Sequence, residues 1–347
     1  MTENLTRESL VLIAEAAVCT FGLGFPIHYA LLNWKVVDRP NERSSHLSPT
    51  VRGGGIAVLL SFMIVGSFAV DATWRIALVA FAGLLLAIVS FIDDLRSLPQ
   101  AMRLVVQMFA ALVALYALCS RGMGALSTAN VIGIGSIGFL WIIGFTNAFN
   151  FMDGINGIAG FQVFITGIGT ALVGIAAGGA LNHPAIALSL VLAGSGLGFL
   201  PHNFPHARMF LGDVGSAPIG FFLAVFAFWL SWDLGWWLLV AFGLLHANFV
   251  LDTSITLVRR IWNGERWFEP HREHFYQRLV RAGKSHPFVV GWEGLIQTIV
   301  LFLVLIAMKM GWPARIVIGG IVCVGWMVFF SYAEVRFRRR PIEVNAS

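Results

Sequence analysis

Amide and carboxylate side chains recur in the stretch NAFNFMDGING, residues 147–157. Every third position carries one, in the order Asn147, Asn150, Asp153 and Asn156, with large apolar residues between them. If the stretch is helical, the four side chains form a skewed polar stripe whose apolar neighbours face a helix bundle. Such a stripe suits recognition of a polar ligand, although a helix end wetted by lipid headgroups would give the same pattern.

Three further aspartates lie at the ends of apolar segments. Asp93 and Asp94 are adjacent in FIDDLRSLP, and Asp213 stands between glycines in FLGDVGS. Because Mg²⁺ prefers one or two protein carboxylates together with phosphate oxygens, we predict a shared metal at Asp94 and Asp213. One aspartate of the adjacent pair would then position or deprotonate a nucleophile. The alternatives are a solvated helix end for the pair and a helix cap for Asp213.

Imidazole and guanidinium groups occupy the segment EPHREHFYQRL, residues 269–279. His271 and His274 are three residues apart and share a face if this segment is helical. A pair of histidines without a third nearby ligand is a weak metal signal. Titratable imidazoles beside Arg272 suit contact with phosphate better. A solvated basic loop is the alternative.

A second basic group lies in DRPNERSSHLSPTVRGGG, residues 38–55. Arg43, His46 and Arg52 are predicted to surround an anion there, because guanidinium groups bind phosphate through paired hydrogen bonds. Ordinary basic residues of a cytoplasmic link remain the alternative. Asp252 is expected close to Arg259 and Arg260, as a partner behind the site or as a buried ion pair.

The elements that must position these groups are apolar segments. Hydrophobic residues make up 58% of the 347 residues, charged residues 12%, and the mean hydropathy is +0.80. A soluble domain is roughly half apolar and a quarter charged, so the composition indicates an integral membrane protein. A span needs roughly 17–25 apolar residues. We predict an all-α bundle of about eleven transmembrane helices in a single domain, near 9–32, 53–70, 75–92, 103–120, 131–146, 158–180, 184–200, 215–232, 236–258, 288–310 and 315–333.

The basic residues predict the orientation of this bundle. With eleven spans, 18 of the 23 Lys and Arg residues fall in the odd-numbered links and the C-terminal tail, on one side of the membrane. By the positive-inside rule that side is cytoplasmic, which puts the N-terminus outside. All the polar clusters lie in these links, near 33–52, 93–103, 147–157, 201–214 and 259–287, so the active site is expected to face the cytoplasm.

Three even-numbered spans begin in glycine-rich sequence at these links. A helix start carries partial positive charge and free N–H groups, so the starts at GGGIA, after DGING and after GDVGS are expected to favour a phosphate or diphosphate. The alternative is that small residues permit close helix packing.

The remaining composition excludes several classes. The three cysteines lie in or beside apolar segments and form no CxxC motif, so no disulfide or zinc site is predicted. The net charge of +5 is spread over the links, where anionic headgroups or substrates are the expected partners and nucleic acid is not. A transporter would place ionisable residues near the midplane, and a membrane phosphatase would not need a nucleotide-reading loop.

Five motifs in order resemble those of the polyprenyl-phosphate N-acetylhexosamine-1-phosphate transferases, also called glycosyltransferase family 4. They are DRPNERSSHLSPTVRGGG, IDDL, NAFNFMDGINGIAG, FLGDVGS and HREHFYQRL, over roughly residues 33–280. The resemblance implies transfer of a sugar-1-phosphate from a UDP-N-acetylhexosamine to undecaprenyl phosphate, with release of UMP, in the bacterial inner membrane. It implies Mg²⁺, or alternatively Mn²⁺, as cofactor, and leaves a homodimer open.

The resemblance also implies residue roles. Asp93 and Asp94 match the aspartate pair that orients or deprotonates the lipid phosphate, and Asp213 matches a metal ligand. Asn150, Asp153 and Asn156 match the nucleotide-sugar motif. His271 and His274 match the histidine motif that contacts phosphate or sugar.

Departures from the family's patterns bear on the subtype. The muramoyl-pentapeptide branch usually has a lysine-bearing aspartate motif and a denser histidine cluster, where this chain has DDLR and HREHFYQ. The chain is more similar to the branch that initiates O-antigen and other surface polysaccharides of the lipopolysaccharide type. The donor is expected to be UDP-GlcNAc or a 6-deoxy sugar such as UDP-FucNAc or UDP-QuiNAc, with preference for the 6-deoxy group.

Overall fold

The computed structural model describes residues 2–40, 48–120, 127–266 and 271–339, with the side chains of residues 2–5 left aside. The described chain is nearly all helical. The predicted anion-binding residues Arg43 and His46 lie outside the described residues. The helices are α1 (Thr2–Asn33), α2 (Gly55–Ala69), α3 (Trp74–Leu95), α4 (Gln100–Cys119), α5 (Thr128–Met152), α6 (Ile158–Ala176), α7 (Pro184–Asn203), α8 (Asp213–Leu234), α9 (Leu238–Leu245), α10 (Ala247–Trp262), α11 (Phe275–Arg281), α12 (His286–Met308) and α13 (Trp312–Arg338).

Most of these helices are long and apolar enough to cross a bilayer. In the described ranges nine helices meet that criterion, and α9 with α10 form a tenth candidate that bends by 75°. The helix α2 is apolar but has only 15 residues. Each of the eleven predicted segments thus corresponds to a helix or to the bent pair. The protein is a multi-pass membrane protein, while the number of crossings and their orientation stay predictions.

The helix α8 lies at the centre of the bundle. Its apolar stretch is 100% buried, and α2, α3, α4, α5, α6, α7 and α9 all pack against it. A helix that is apolar on every side is stable only when other elements surround it. Asp213, the first residue of α8, is therefore held at the end of the most enclosed helix.

A three-stranded sheet covers the same end of the bundle. Strand β1 (Val37–Asp38) pairs antiparallel with β2 (Thr50–Arg52), and β2 pairs parallel with β3 (Met209–Phe210). In this register Arg52 lies opposite Phe210. The sheet therefore brings a basic residue from early in the chain to the start of α8.

Only part of each polar segment is helical. The helix α5 ends at Met152 and Asp153 is its cap, so only Asn147 and Asn150 lie on the predicted stripe. The histidine segment is not helical before Phe275, where α11 begins. The rings of His271 and His274 nevertheless lie close together, with centroids 4.9 Å apart.

Candidate active site

The carboxylate of Asp94 joins the end of α3 to the start of α8. Its oxygens accept hydrogen bonds from the backbone N–H groups of Asp213 (3.1 Å) and Val214 (3.0 Å). The side chain is completely buried, and Arg52 Nε lies 2.7 Å from Asp94 Oδ1. A carboxylate in this position satisfies two otherwise unpaired amides and complements the helix dipole. Asp94 therefore fixes where α8 begins.

Gly212 allows this close approach. Its φ of +75° lies in the left-handed region, and a Cβ there would stand 2.7 Å from Asp94 Oδ2. Residues with a Cβ rarely adopt such a backbone conformation. The glycine before the aspartate in FLGDVGS is thus required by the Asp94 contact.

Two arginines converge on Asp213. Arg52 Nη2 lies 3.2 Å from Asp213 Oδ1, and Arg103 Nη1 lies 3.7 Å from Asp213 Oδ2. Each arginine also contacts one residue of the aspartate pair, because Arg103 Nη1 lies 2.9 Å from Asp93 Oδ2. The three predicted aspartates are therefore brought together. Arg103 also belongs to the cluster, although its position in the sequence did not predict this.

The predicted amide residues divide between two places. Asn150 donates to Asp213 Oδ1 (3.1 Å) and to Ser216 Oγ (2.8 Å), which ties the end of α5 to α8. Asn147 donates to Gln107 Oε1 (2.7 Å) on α4 and to the Ile143 carbonyl. Asn156 instead donates to the Pro205 carbonyl at 3.1 Å. Asn147 and Asn150 therefore border the aspartate cluster, whereas the side chain of Asn156 holds the 147–157 segment against the loop after α7.

Burial and neighbouring charges shift the pKa of two ionisable groups that lie outside the helices. Burial, and next the neighbouring Asp213 carboxylate, raise the pKa of Asp153 to about 7. Burial acts to lower the pKa of Arg52, but Asp213 and Asp94 outweigh it and the net pKa is raised. With a pKa of about 7, Asp153 carries only part of a negative charge at neutral pH, and Arg52 stays charged. Both effects reduce the repulsion that two phosphate-bearing ligands would meet.

The starts of α2 and α8 are not open to an anion as predicted. The first amides of α8 donate to Asp94, and those of Gly54 and Gly55 at α2 donate to the carbonyls of Phe210 and Leu211. Before α6, Gly157 N donates to Asn203 Oδ1 at 2.6 Å. These N–H groups therefore already donate hydrogen bonds to acceptors within the protein. Close packing explains the glycines at α2 and α8, because a Cβ on Gly55 would lie 2.1 Å from Gly215 Cα.

The histidine segment lies against the 147–157 segment. The His274 ring stacks near Phe151, with centroids 6.3 Å apart. Burial lowers the pKa of His271 to about 3, with smaller effects from His274, Arg260 and Arg259. His271 is therefore neutral at pH 7 and can contact a ligand as a hydrogen-bond partner rather than as a cation. The carbonyl of Arg272 accepts from Arg281 Nη1 at 3.0 Å.

A cavity of about 760 Å³ opens beside the aspartates. Apolar residues of α3, α4, α5, α8 and α10 line most of it, among them Leu86, Leu140 and Val250. One end is polar and is formed by Asp93, Arg103, Gln107, Asn147, Asn150 and Asp213. The site thus combines an apolar cavity with a cluster of charged residues at its polar end.

The carboxylates of the cluster fit the predicted metal in part. In residues 2–40, 48–120, 127–266 and 271–339, no group of three or more His, Cys, Asp or Glu side chains is arranged to hold an ion. Mg²⁺ needs only one or two carboxylates when phosphate oxygens complete its shell. Asp93 and Asp213 border the cavity and fit this requirement by position, although Leu98 N (2.6 Å) and Arg103 Nη1 (2.9 Å) already contact the two oxygens of Asp93. Asp94 fits less well, because its side chain is completely buried and does not line the cavity.

Sequence comparison shows which known proteins this chain is similar to. Residues 74–231 match the sequence model of the family described as glycosyl transferase family 4. The matched range is a little under half of the chain. The matched range runs from α3 into α8 and contains Asp93, Asp94, Asp153 and Asp213, so the aspartate cluster falls within the family's common part.

Individual relatives extend the similarity beyond this range. A decaprenyl-phosphate N-acetylglucosaminephosphotransferase of Mycobacterium tuberculosis is 29% identical, over 84% of this chain and 81% of its own. A probable undecaprenyl-phosphate N-acetylglucosaminyl 1-phosphate transferase of Bacillus subtilis is 28% identical, over 76% and 77%. A phospho-N-acetylmuramoyl-pentapeptide-transferase of Enterococcus hirae is 27% identical, over 66% and 75%. The names of these three relatives all describe transferases of sugar phosphates.

Proposed function

We propose that this protein transfers an N-acetylhexosamine-1-phosphate from a UDP-sugar to a polyprenyl phosphate, with release of UMP. The polyprenyl phosphate that we propose as acceptor is undecaprenyl phosphate. The observation that carries the proposal is the junction of the apolar cavity with Asp93, Arg103, Asn150 and Asp213. The reaction needs such a junction, because one substrate is a long hydrocarbon with a charged end and the other is soluble.

The reaction joins two anions, which determines what the chain must supply. An oxygen of the polyprenyl phosphate forms a bond to the β-phosphorus of the UDP-sugar. The bond from that phosphorus to the bridging oxygen breaks, and UMP leaves with that oxygen. Arg52 and Arg103 lie where they can attract the phosphates, and fixed positive groups of this kind stabilise the charge that develops during transfer.

Mg²⁺ is the proposed cofactor, held by Asp213 together with Asp93 or Asp94. When bound, it would neutralise phosphate charge that the two arginines alone do not balance. Asp93 is the candidate to position or deprotonate the acceptor phosphate, since its carboxylate borders the cavity beside Arg103. Asp153, Asn150 and the histidine segment are proposed to contact the nucleotide-sugar.

The apolar cavity is proposed to hold the isoprenoid next to its phosphate. Its volume of about 760 Å³ falls in the range of small-molecule sites, roughly 300–1,000 Å³. A full polyprenyl chain exceeds this volume, so only the phosphate-proximal units would lie inside, with the remainder in the bilayer. The active site is proposed to face the cytoplasm from the bacterial inner membrane, where UDP-sugars are available.

The donor sugar is the open part of the proposal. UDP-GlcNAc, a 6-deoxy sugar such as UDP-FucNAc or UDP-QuiNAc, and UDP-MurNAc-pentapeptide are the three candidate groups. The names of the relatives support an N-acetylhexosamine, and the departures from the muramoyl motifs favour the first two groups. A role in initiating O-antigen or another surface polysaccharide would follow from either of those donors.

The test is a donor panel with the purified full chain in lipid nanodiscs. With Mg²⁺, undecaprenyl phosphate and the correct UDP-sugar, we expect release of UMP together with a polyprenyl diphosphate sugar. UMP release that does not depend on the lipid acceptor would contradict the proposal, as would no release across the whole panel. Release of inorganic phosphate from polyprenyl diphosphate would instead support a phosphatase, and substrate uptake into vesicles a transporter.

A further inference from the structure

Asp252 on α10 is a completely buried carboxylate that the proposed reaction does not use. Five hydrogen bonds converge on it. Phe275 N donates to both oxygens (3.1 and 2.9 Å), Tyr276 N donates at 3.4 Å, and Thr256 Oγ1 donates at 3.2 Å. The fifth hydrogen bond involves His274 Nδ1, which lies 3.0 Å from Asp252 Oδ1.

These contacts fix the tautomer of His274. Backbone N–H groups only donate, so the carboxylate acts as an acceptor toward α11. An ionised carboxylate has no proton to give, and His274 Nδ1 must therefore carry the hydrogen. This leaves Nε2 as the nitrogen able to accept from, or donate to, a ligand. An aspartate behind a histidine performs this orienting role in other active sites.

The arginines expected beside Asp252 do not pair with it in the described part of the chain. Arg260 Nη1 contacts Glu265 (2.8 Å) and Glu273 (3.2 Å), and Arg259 contacts Glu273 and Glu334 at 3.8–4.0 Å. Asp252 therefore contacts the start of α11 and the His274 imidazole rather than these arginines.

The segment held by Asp252 contacts the nucleotide-sugar segment directly. Tyr276 Oη donates to the Phe151 carbonyl at 3.1 Å. A Cβ on Gly154 would lie 2.2 Å from Tyr276 Oη, so only glycine permits this contact. Any shift of α11 would therefore move His274 relative to Asp153, one residue before that glycine.

We propose that Asp252 is a positioning residue for His274. It holds the imidazole with Nδ1 protonated and Nε2 available to the substrate, and it holds the start of α11 against residues 151–154. The inference rests on the proposed function for its catalytic consequence, while the tautomer of His274 can be measured without any substrate.

The first measurement is ¹⁵N NMR of the full chain with labelled histidines, in nanodiscs at pH 8. The His274 signal is assigned by its loss in His274→Gln. We expect the Nδ1–H tautomer in the unchanged protein and its loss in Asp252→Asn, whose amide can donate to Nδ1. An Nε2–H tautomer of His274 in the unchanged protein would overturn the inference, even if Asp252→Asn cannot be purified.

The second measurement is UMP release by Asp252→Asn, His274→Gln and the double variant. We expect turnover to fall on the order of 100-fold in Asp252→Asn, as for other groups that orient a functional histidine. The double variant should be no slower than His274→Gln alone, because Asp252 acts through His274. Independent, multiplying losses would contradict the inference.

The matched control is Asp233→Asn. Asp233 Oδ2 also pairs with a histidine, His183 Nε2 at 3.1 Å, but at the opposite end of α8. This variant should leave turnover unchanged. Full activity of Asp252→Asn would overturn the inference alone, whereas an inactive unchanged protein would overturn the proposed function and leave the tautomer to decide the role of Asp252.

Discussion

The carboxylate of Asp94 accepts a hydrogen bond from the backbone amide of Asp213 at 3.1 Å, across 119 positions of the chain. Two of the predicted catalytic aspartates are thus joined through the backbone of one and the side chain of the other. Asp94 orients the start of α8, and Asp213 presents its carboxylate to the cavity. This division of labour leads to different expectations for substitutions at the two positions.

Asp94→Asn is expected to reduce turnover on the order of 100-fold and to lower the melting temperature. Asparagine presents an NH₂ group to one of the two backbone amides, and Arg52 loses the nearer of its two carboxylate partners, at 2.7 Å. The checks are UMP release and thermal unfolding in detergent. Asp71→Asn, in the exposed link before α3, is the control and should change neither value. Turnover within a factor of about two of the parent would remove Asp94 from the site.

Asp213→Asn is expected to abolish turnover while the protein stays folded. Its carboxylate meets Arg52, Arg103 and Asn150 and is the proposed metal ligand. Mg²⁺ that binds the folded state raises its melting temperature, so the parent should be stabilised by Mg²⁺ and Asp213→Asn should not.

The same titration separates the two candidate partners of Asp213. Asp93→Asn should also lose the Mg²⁺ shift, whereas Asp94→Asn should keep part of it, since Asp93 lines the cavity and the buried Asp94 does not. Asp233→Asn, at the other end of α8, is the control for a lost carboxylate on the same helix. An unaltered Mg²⁺ shift in Asp213→Asn would contradict the metal assignment.

Asp153 should make stability depend on pH in metal-free buffer. Its pKa is raised from 3.8 to about 7 in the folded protein, so between these values the folded state binds more protons than the unfolded state. Stability from this group is therefore greatest below about pH 4 and decreases as the pH rises to about 7. Asp153→Asn should remove this decrease. Melting curves at pH 5 and pH 8 check it, and an identical difference in parent and variant would contradict it.

Gly144→Phe should weaken binding of the lipid acceptor alone. Gly144 lines the cavity, and a Cβ there meets no atom within 4 Å, so the ring would enter the cavity without displacing the helix. We expect the KM for undecaprenyl phosphate to rise about tenfold or more, as expected when roughly 1.4 kcal/mol of apolar contact is lost, with an unchanged KM for the UDP-sugar.

The control for this substitution is Gly133→Phe on the same helix. A Cβ on Gly133 also meets nothing within 4 Å, and the residue does not line the cavity. Equal effects of the two substitutions, or an effect on the KM of the UDP-sugar, would remove the cavity from lipid binding.

The apolar segments and the order of the polar motifs could be read from the sequence, because both are local properties. Each predicted segment corresponds to a helix or to the bent pair, and the aspartate cluster contains the residues chosen by their types. The helix α5 runs on to Met152, past the predicted end at 146, because Asn147 and Asn150 find hydrogen-bond partners on α4 and α8, far along the chain.

The sequence by itself determined a multi-pass helical protein and which carboxylates, amides and histidines lie near its links. Only the tertiary structure decided their partners. Arg103 joins Asp93 and Asp213, Asp94 holds the start of α8, and Asp252 holds His274. These pairings depend on how helices pack around the buried α8, and hydrogen bonds between distant segments leave no periodicity in the sequence from which they could be predicted.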